Sequence, residues 1–125
     1  MKIRIEDGLP FVSVSLKYKE KQIHLDQVIL DTGSAGSIFK FSKLKTIGIQ
    51  QEENDEVYRI SGVGGFEFVF SKHIEQISLG EIVVPDFEVE VGSMEYGFPI
   101  DGILGLDFLT SIGAVINLKK LEIYT

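Results

Sequence analysis

The 125-residue sequence contains no cysteine, only two histidines, and a minority of basic residues, 12 Lys and Arg against 19 Asp and Glu. Without cysteine there is neither a disulfide framework nor a thiolate metal site, so the chain must hold together by packing and hydrogen bonds. Neither His24 nor His73 has a partner at metal-ligand spacing, and no metal or cofactor is expected. The formal charge is −7. Nucleic-acid binding depends on clustered Lys and Arg that displace counterions from phosphates, and no such cluster occurs. No apolar run approaches the roughly 20 residues of a membrane-spanning helix, and the first residues lack the pattern of a signal peptide. The expectation is a cytoplasmic protein that engages neither nucleic acid nor membrane. Low-complexity tracts are also missing, which argues against disorder.

What is present is enough for one core. The chain is 44% hydrophobic and 25% charged with a mean hydropathy of +0.17, the composition of a single globular domain spanning residues 1–125. Nine Phe and 13 Gly suit strands joined by tight turns better than a helical bundle. The order of residues agrees. Residues 11–18 alternate, with Val12, Val14, Leu16 and Tyr18 on one face and Ser13, Ser15 and Lys17 on the other. Residues 23–30 return as the antiparallel partner and end at Asp31. Residues 73–79, 82–84 and 87–91 read as further strands, with a turn at Gly80 and Glu81. One helical turn is expected over residues 41–48, with Ser42 as its N-cap and Gly48 after its end. Residues 51–56 read as a solvated acidic loop.

Three stretches carry chemistry. The first is residues 28–37, Val-Ile-Leu-Asp-Thr-Gly-Ser-Ala-Gly-Ser, in which a short buried-strand run delivers Asp31 to the mouth of the core. Glycines at 33 and 36 allow a sharp turn and close approach of another backbone. Ser34 is not a hydrolase nucleophile, because Thr32 occupies a place where the nucleophile elbow requires glycine. An Asp at a strand end followed by Gly is also common in ordinary turns, and a similar Asp-x-Thr-Gly-Thr string carries the phosphorylated aspartate of ion pumps. The chain is too short for the ATP-binding module such a pump needs. The second stretch, residues 57–70, has two strand-like arms around Ser61-Gly62-Val63-Gly64-Gly65. It reads as a hairpin with a glycine-rich tip and not as a dinucleotide loop, since the third glycine is missing and no helix follows. The third is Asp101-Gly102-Ile103-Leu104-Gly105-Leu106-Asp107-Phe108-Leu109, a short apolar strand, a glycine and a short apolar helix ending near Gly113.

Asp-Thr-Gly-Ser after an apolar strand resembles the catalytic loop of aspartic peptidases. Residues 60–66 resemble the flap of retroviral proteases, and Ile103-Leu104-Gly105 before a helix resembles the second element of the same fold. The three occur in the order and rough spacing of retropepsin-like proteases, and the resemblance covers about residues 23–118. Ala35 and Gly36 depart from it, lacking the acidic residues that often follow the viral motif. The resemblance implies a mostly β, closed-barrel-like domain with one short C-terminal helix. It also implies an aspartic endopeptidase acting on peptide or protein substrates. Such enzymes hydrolyse amides with two carboxylates that share a proton, and this chain has one such aspartate. Asp101 lacks the following hydroxyl and precedes its strand, so the implied pair is Asp31 from each of two copies in a homodimer.

The implied roles follow by position. Asp31 carries the acid-base chemistry, Thr32 bonds across the dyad to the partner loop, Gly33 permits coplanar approach, and Ser34 donates to the carboxylate. Ile60, Gly62, Val63, Gly64 and Gly65 form the flap over the substrate. Residues 2–5 and 115–124 stand in the family's places for a dimer-forming sheet. The other reading is a catalytically silent dimeric domain of the same fold that binds peptides or assembles partners; an intact Asp-Thr-Gly-Ser counts against it.

Overall fold

The alternation along the first half of the chain folds as its period dictates. In the computed structural model, which describes residues 1–62 and 65–125, strand β2 (Leu9–Tyr18) buries Val12, Val14, Leu16 and Tyr18 and turns Lys17 outward. It pairs antiparallel with β3 (Lys21–Leu30), from Tyr18↔Lys21 to Phe11↔Ile29, with a register shift between Val12 and Val14. That bulge lets both Phe11 and Val12 be buried. A short strand β1 (Arg4–Glu6) flanks β2.

The second half supplies β4 (Ile38–Lys40), β5 (Val57–Gly62), β6 (Gly65–Leu79), β7 (Ile82–Gly92) and β8 (Gly102–Leu104). The sheet order is β1-β2-β3-β8-β4-β7-β6-β5, and β6 also pairs with β2 through Ser15↔Ser78, Leu16↔Ile77 and Lys17↔Gln76. Two long strands thus each serve two neighbours along one edge, which makes the sheet barrel-like. Inside lie Val14, Leu16, Val28, Leu30, Phe39, Ile74, Ile77, Leu104 and Phe108. A second cluster lies on the other side of the central strands, where Phe11, Ile29, Ile38, Val69, Met94 and Ile100 meet the partly buried Leu9, Ile60 and Ile103.

Helix α2 (Leu106–Ser111) buries Phe108 and Leu109 and leads to a hairpin of β9 (Val115–Asn117) and β10 (Glu122–Tyr124). Residues 1–3 run along the other edge of β10. Lys2 bridges Glu122, the Ile3 amide donates to Leu121 O at 2.8 Å, and the Ile123 amide donates to Met1 O at 2.9 Å.

Two expectations need correction. Helix α1 (Phe41–Leu44) is followed by a 3-10 turn, Lys45–Ile47, and ends at Gly48 with φ 88° as expected, but its N-cap is Lys40, without a side-chain cap, and not Ser42. Strand β4 runs straight into α1, so the capping position falls on the strand's last residue. The acidic loop is also more than solvated surface. Asp55 approaches the buried Lys72 Nζ at 2.9 Å, and Glu52 joins it. Burial pulls the Lys72 ammonium down, yet its hydrogen bonds to Asp55 and Glu52 outweigh this and hold it above its ordinary range.

Candidate active site

Strand β8 is inserted between β3 and β4, so the segment joining those two, residues 31–37, must arch over the end of β8. β3 and β8 are parallel, with Val28↔Gly102 and Leu30↔Leu104 in register, and the Asp31 amide donates to Leu104 O at 3.0 Å. The chain leaving β8 passes directly beneath the arch. Here glycine is obligatory: a Cβ on Gly105 would sit 2.3 Å from Gly36 O and 2.7 Å from Ser34 O, both backbone atoms. The crossing is tied by Leu106 N–H to Ser34 O at 2.7 Å and Asp107 N–H to Ala35 O at 3.3 Å.

Two side chains complete the tie. Ser37 is 1% exposed; its hydroxyl accepts the Gly105 amide at 2.9 Å and donates to Asp107 Oδ1 at 2.7 Å. Asp107 Oδ2 accepts the Ser37 amide at 3.2 Å, and Oδ1 also accepts the Phe108 amide at 2.7 Å. Among the described residues no buried side-chain polar atom is left without a partner. The sequence motifs had singled out neither residue for this role. The available signal was a serine immediately before β4 and an aspartate two residues after the glycine of Ile-Leu-Gly.

Asp31 itself is partly exposed at the end of β3. Among the described residues its carboxylate has one hydrogen-bond donor, the Gly33 amide, at 2.9 Å to Oδ1. A Cβ on Gly33 would lie 3.2 Å from that oxygen, so any side chain there would crowd the carboxylate. Thr32 is exposed. Ser34 departs from the expected role, since its hydroxyl donates to Gly36 O at 2.8 Å and not to Asp31. The tight turn from Asp31 O to the Ser34 amide, 3.1 Å, carries Ser34 past the carboxylate and toward the arch.

Asp101 sits at the opposite end of the parallel pair. Its Oδ2 accepts the Gln27 amide at 3.1 Å, and Lys43 Nζ is 3.8 Å from Oδ1. Four residues separate Gln27 from Asp31, or roughly 13 Å at about 3.3 Å per residue. Asp101 cannot act with Asp31 within one chain.

The hairpin of β5 and β6 is in register from Val57↔Phe70 to Gly62↔Gly65, with Gly65 at φ 113°. Val63 and Gly64, expected at its tip, lie outside the described residues. Ile60 packs against the cluster that contains Ile29, Ile38 and Val69, beside the strands that carry the arch. Phe66 and Phe68 are exposed, with the Arg59 guanidinium 4.6 Å from the Phe66 ring centre. Glu67 ties the hairpin to the segment after β7, accepting from Ser93 Oγ and the Met94 amide, each at 3.1 Å, and from the Tyr96 hydroxyl. Burial and the Glu67 carboxylate push the Tyr96 phenol far above its ordinary range. A cleft of about 380 Å³ runs between Tyr58 of β5 and Ser37 and Asp107 of the crossing, with Glu90 in its wall. Burial raises the Glu90 carboxyl above its ordinary range; the neighbouring charges of Asp107, Glu67 and Glu88 add to this and the Tyr58 hydroxyl opposes it.

With this geometry in view, the family model described as "Aspartyl protease" matches residues 14–108, from β2 through the crossing into α2. The chain belongs to the aspartyl protease family. Its fold is retropepsin-like: the crystal structure of a retropepsin-like aspartic protease from Rickettsia conorii superposes with a TM-score of 0.69 over 98% of this chain and 95% of that one, at 16% identity. No curated protein matches the sequence. The matched residues of this aspartyl protease domain include the whole arch and the glycine beneath it. They stop short of β9 and β10. No helix among the described residues is long and apolar enough to cross a membrane.

Proposed function

We propose that the chain is an aspartic endopeptidase whose active unit is a homodimer, with Asp31 of two copies forming the catalytic pair. The observation that carries this reading is the setting of Asp31. It is partly exposed at the end of β3, beside the hydrogen-bonded crossing, with one backbone amide on Oδ1 among the described residues, while Asp101 lies at the far end of the strands.

A single carboxylate can take a proton from water but cannot at the same time donate one to the substrate carbonyl. Two carboxylates held close cannot both ionise, so they share a proton and supply both functions. The ionised member takes a proton from water as the water oxygen attacks the amide carbon, and the protonated member hydrogen-bonds to the carbonyl oxygen as charge develops there. Proton return to the amide nitrogen then lets the C–N bond break. Gly33 keeps the carboxylate face clear, and Thr32 stands at the edge where the partner loop would arrive. The β5–β6 hairpin, including Ile60, Gly62 and Gly65 and by expectation Val63 and Gly64, serves as the flap that closes over an extended peptide bound as an added strand.

The test is hydrolysis of an unfolded protein by the wild type and by Asp31→Asn, each with its solution mass. The amide is nearly isosteric but can neither share a proton nor activate water, so the variant should be a folded dimer without turnover. Turnover by the variant would move the chemistry elsewhere. A wild-type dimer that binds but never cleaves peptides would favour the silent peptide-binding reading, which the intact Asp-Thr-Gly-Ser argues against.

A further inference from the structure

Strand β6 belongs to the body of the sheet along most of its length and leaves it at one end. Its ladder with β7 stops at Phe70↔Val91, so residues 65–69 find their register partners in β5 alone. This projecting part of the hairpin rests on the body by apolar contact: Val69 is buried in the cluster that contains Phe11, Ile29, Ile38 and Met94, and Ile60 packs against that cluster. Apolar contact is non-directional and does not by itself fix a position. Glu67 does. It stands directly opposite Ile60, and among the described residues it is the side chain through which residues 65–69 are hydrogen-bonded to the rest of the chain. Its Oε2 accepts from Ser93 Oγ and from the Met94 amide, each at 3.1 Å, and its Oε1 accepts from the Tyr96 hydroxyl.

The turn that supplies these donors is shaped around the carboxylate. Met94 is fully buried yet has φ 51°, in the left-handed region that side chains rarely adopt, and the Tyr96 amide closes the turn on Met94 O at 3.1 Å. Gly92 leaves room beside it, since a Cβ there would lie 3.2 Å from Glu67 Oε2 and 3.0 Å from Val69 Cγ1. Burial and the Glu67 carboxylate keep the Tyr96 hydroxyl protonated, so it remains a donor. We propose that Glu67 is a positioning residue that latches the β5–β6 hairpin to the turn at residues 93–96, so that in the free chain the hairpin already stands where a peptide is received. The inference rests on the proposed peptidase function, in which this hairpin closes over the substrate. Hydrogen bonds to an ionised group are stronger than neutral ones, and both sides of the latch are already ordered by the sheet, so little entropy opposes it. A hairpin without the latch spends part of its time away from the groove, and the apparent affinity for peptide falls with the fraction that is in place.

The latch is tested by trypsin nicking of the full chain after Arg59, an exposed residue of β5, read as the appearance of fragments 1–59 and 60–125 by mass. Nicking requires the hairpin to leave the body, and its rate follows the opened population. Glu67→Ala should be nicked roughly tenfold faster than the wild type, the loss expected of charge-assisted bonds that water partly replaces. Tyr96→Phe changes nothing in the hairpin itself and should be nicked severalfold faster. The double variant should be no faster than Glu67→Ala alone, because both changes remove one shared contact. In hydrolysis of an unfolded protein, KM should rise by a similar factor with kcat unchanged, since the bound peptide still holds the hairpin down. Equal nicking of Glu67→Ala and the wild type would overturn the latch, as would additive rates in the double variant or a fall in kcat at unchanged KM. If Glu67→Ala does not fold, Tyr96→Phe decides alone, and nicking at the wild-type rate overturns the proposal. The expected nicking pattern in a protein that cleaves nothing would refute the peptidase reading alone.

Discussion

Replacing Gly105 by alanine adds one methyl group at the point where two backbone segments cross. That methyl would lie 2.3 Å from Gly36 O, 2.7 Å from Gly36 C and 2.7 Å from Ser34 O, and backbone cannot swing aside as a side-chain tip can. Restoring ordinary contact requires the arch to rise by about 1 Å. Overpacking of this kind costs about 1–3 kcal/mol. The displacement also stretches the Leu106-to-Ser34 and Asp107-to-Ala35 hydrogen bonds, each worth about 1 kcal/mol net. A total of about 3–5 kcal/mol is a large share of the roughly 5–15 kcal/mol that holds a domain folded. Gly36→Ala is the matched control. Its methyl would meet Glu90 Oε1 first, at 2.8 Å, a flexible carboxylate that can move away, so the cost should stay below about 1 kcal/mol. Urea unfolding of both variants gives the stabilities from the midpoint at constant slope. Hydrolysis by whatever fraction stays folded reports the geometry, and a displacement of about 1 Å in a catalytic group is worth roughly 100-fold in rate. Equal stability of the two alanine variants would refute the claim that the crossing, and not glycine content, fixes the arch.

The other predictions concern single side chains around it. Ser37→Ala leaves the Gly105 amide without an acceptor in a buried place, so urea unfolding should show a loss of about 1–3 kcal/mol; an unchanged midpoint would mean that water replaces the hydroxyl. Ser34→Ala should cost about 1 kcal/mol through its lost bond to Gly36 O and leave the acidic limb of kcat/KM against pH unmoved. An upward move of that limb would show that the hydroxyl reaches the catalytic carboxylates after all. Glu90→Gln should raise Tm at neutral pH. The native state holds the Glu90 proton more readily than the unfolded chain does, so ionised Glu90 destabilises the fold above its raised pKa; the gain shrinks as pH falls through that pKa and vanishes below the ordinary 4.5. A pH-independent gain would mean that charge is not the cause.

The parts of this molecule that were legible in its sequence are those governed by short-range pattern. Alternation gave Val12 through Tyr18 their buried face, Gly80 and Gly48 marked chain reversals that exist, and the order of the three motifs indicated the fold before any strand was paired. Position along the chain also placed Asp31 at a strand end. Two hairpin pairings, of β2 with β3 and of β5 with β6, were also legible; what could not be read was which strands distant in sequence lie side by side. Ser37 and Asp107 are 70 residues apart and become partners only because β8 enters between β3 and β4. Lys72 looks like an ordinary surface lysine in an alternating strand, yet β6 turns it inward, and Glu52 and Asp55 must then fold over it. The Ser34 hydroxyl failed as an inference for a related reason: the motif names the residue, but the direction of its bond is set by the turn at Asp31 and the carbonyl that Gly36 presents.

The division between what is rigid and what is incomplete has a consequence for control. The arch is held by backbone bonds, a buried hydroxyl and a carboxylate, all within one chain, so in the proposed dimer the geometry of each half-site would exist before any encounter. The termini are likewise closed within the chain. Association then has little ordering entropy to overcome, because no segment needs to fold as the copies meet. In the proposed dimer, dilution should therefore lower hydrolysis in proportion to the dimer lost, while circular dichroism and the unfolding midpoint of the monomer stay constant. Coupled loss of structure and activity on dilution would mean instead that the copies complete each other's fold as well as each other's site.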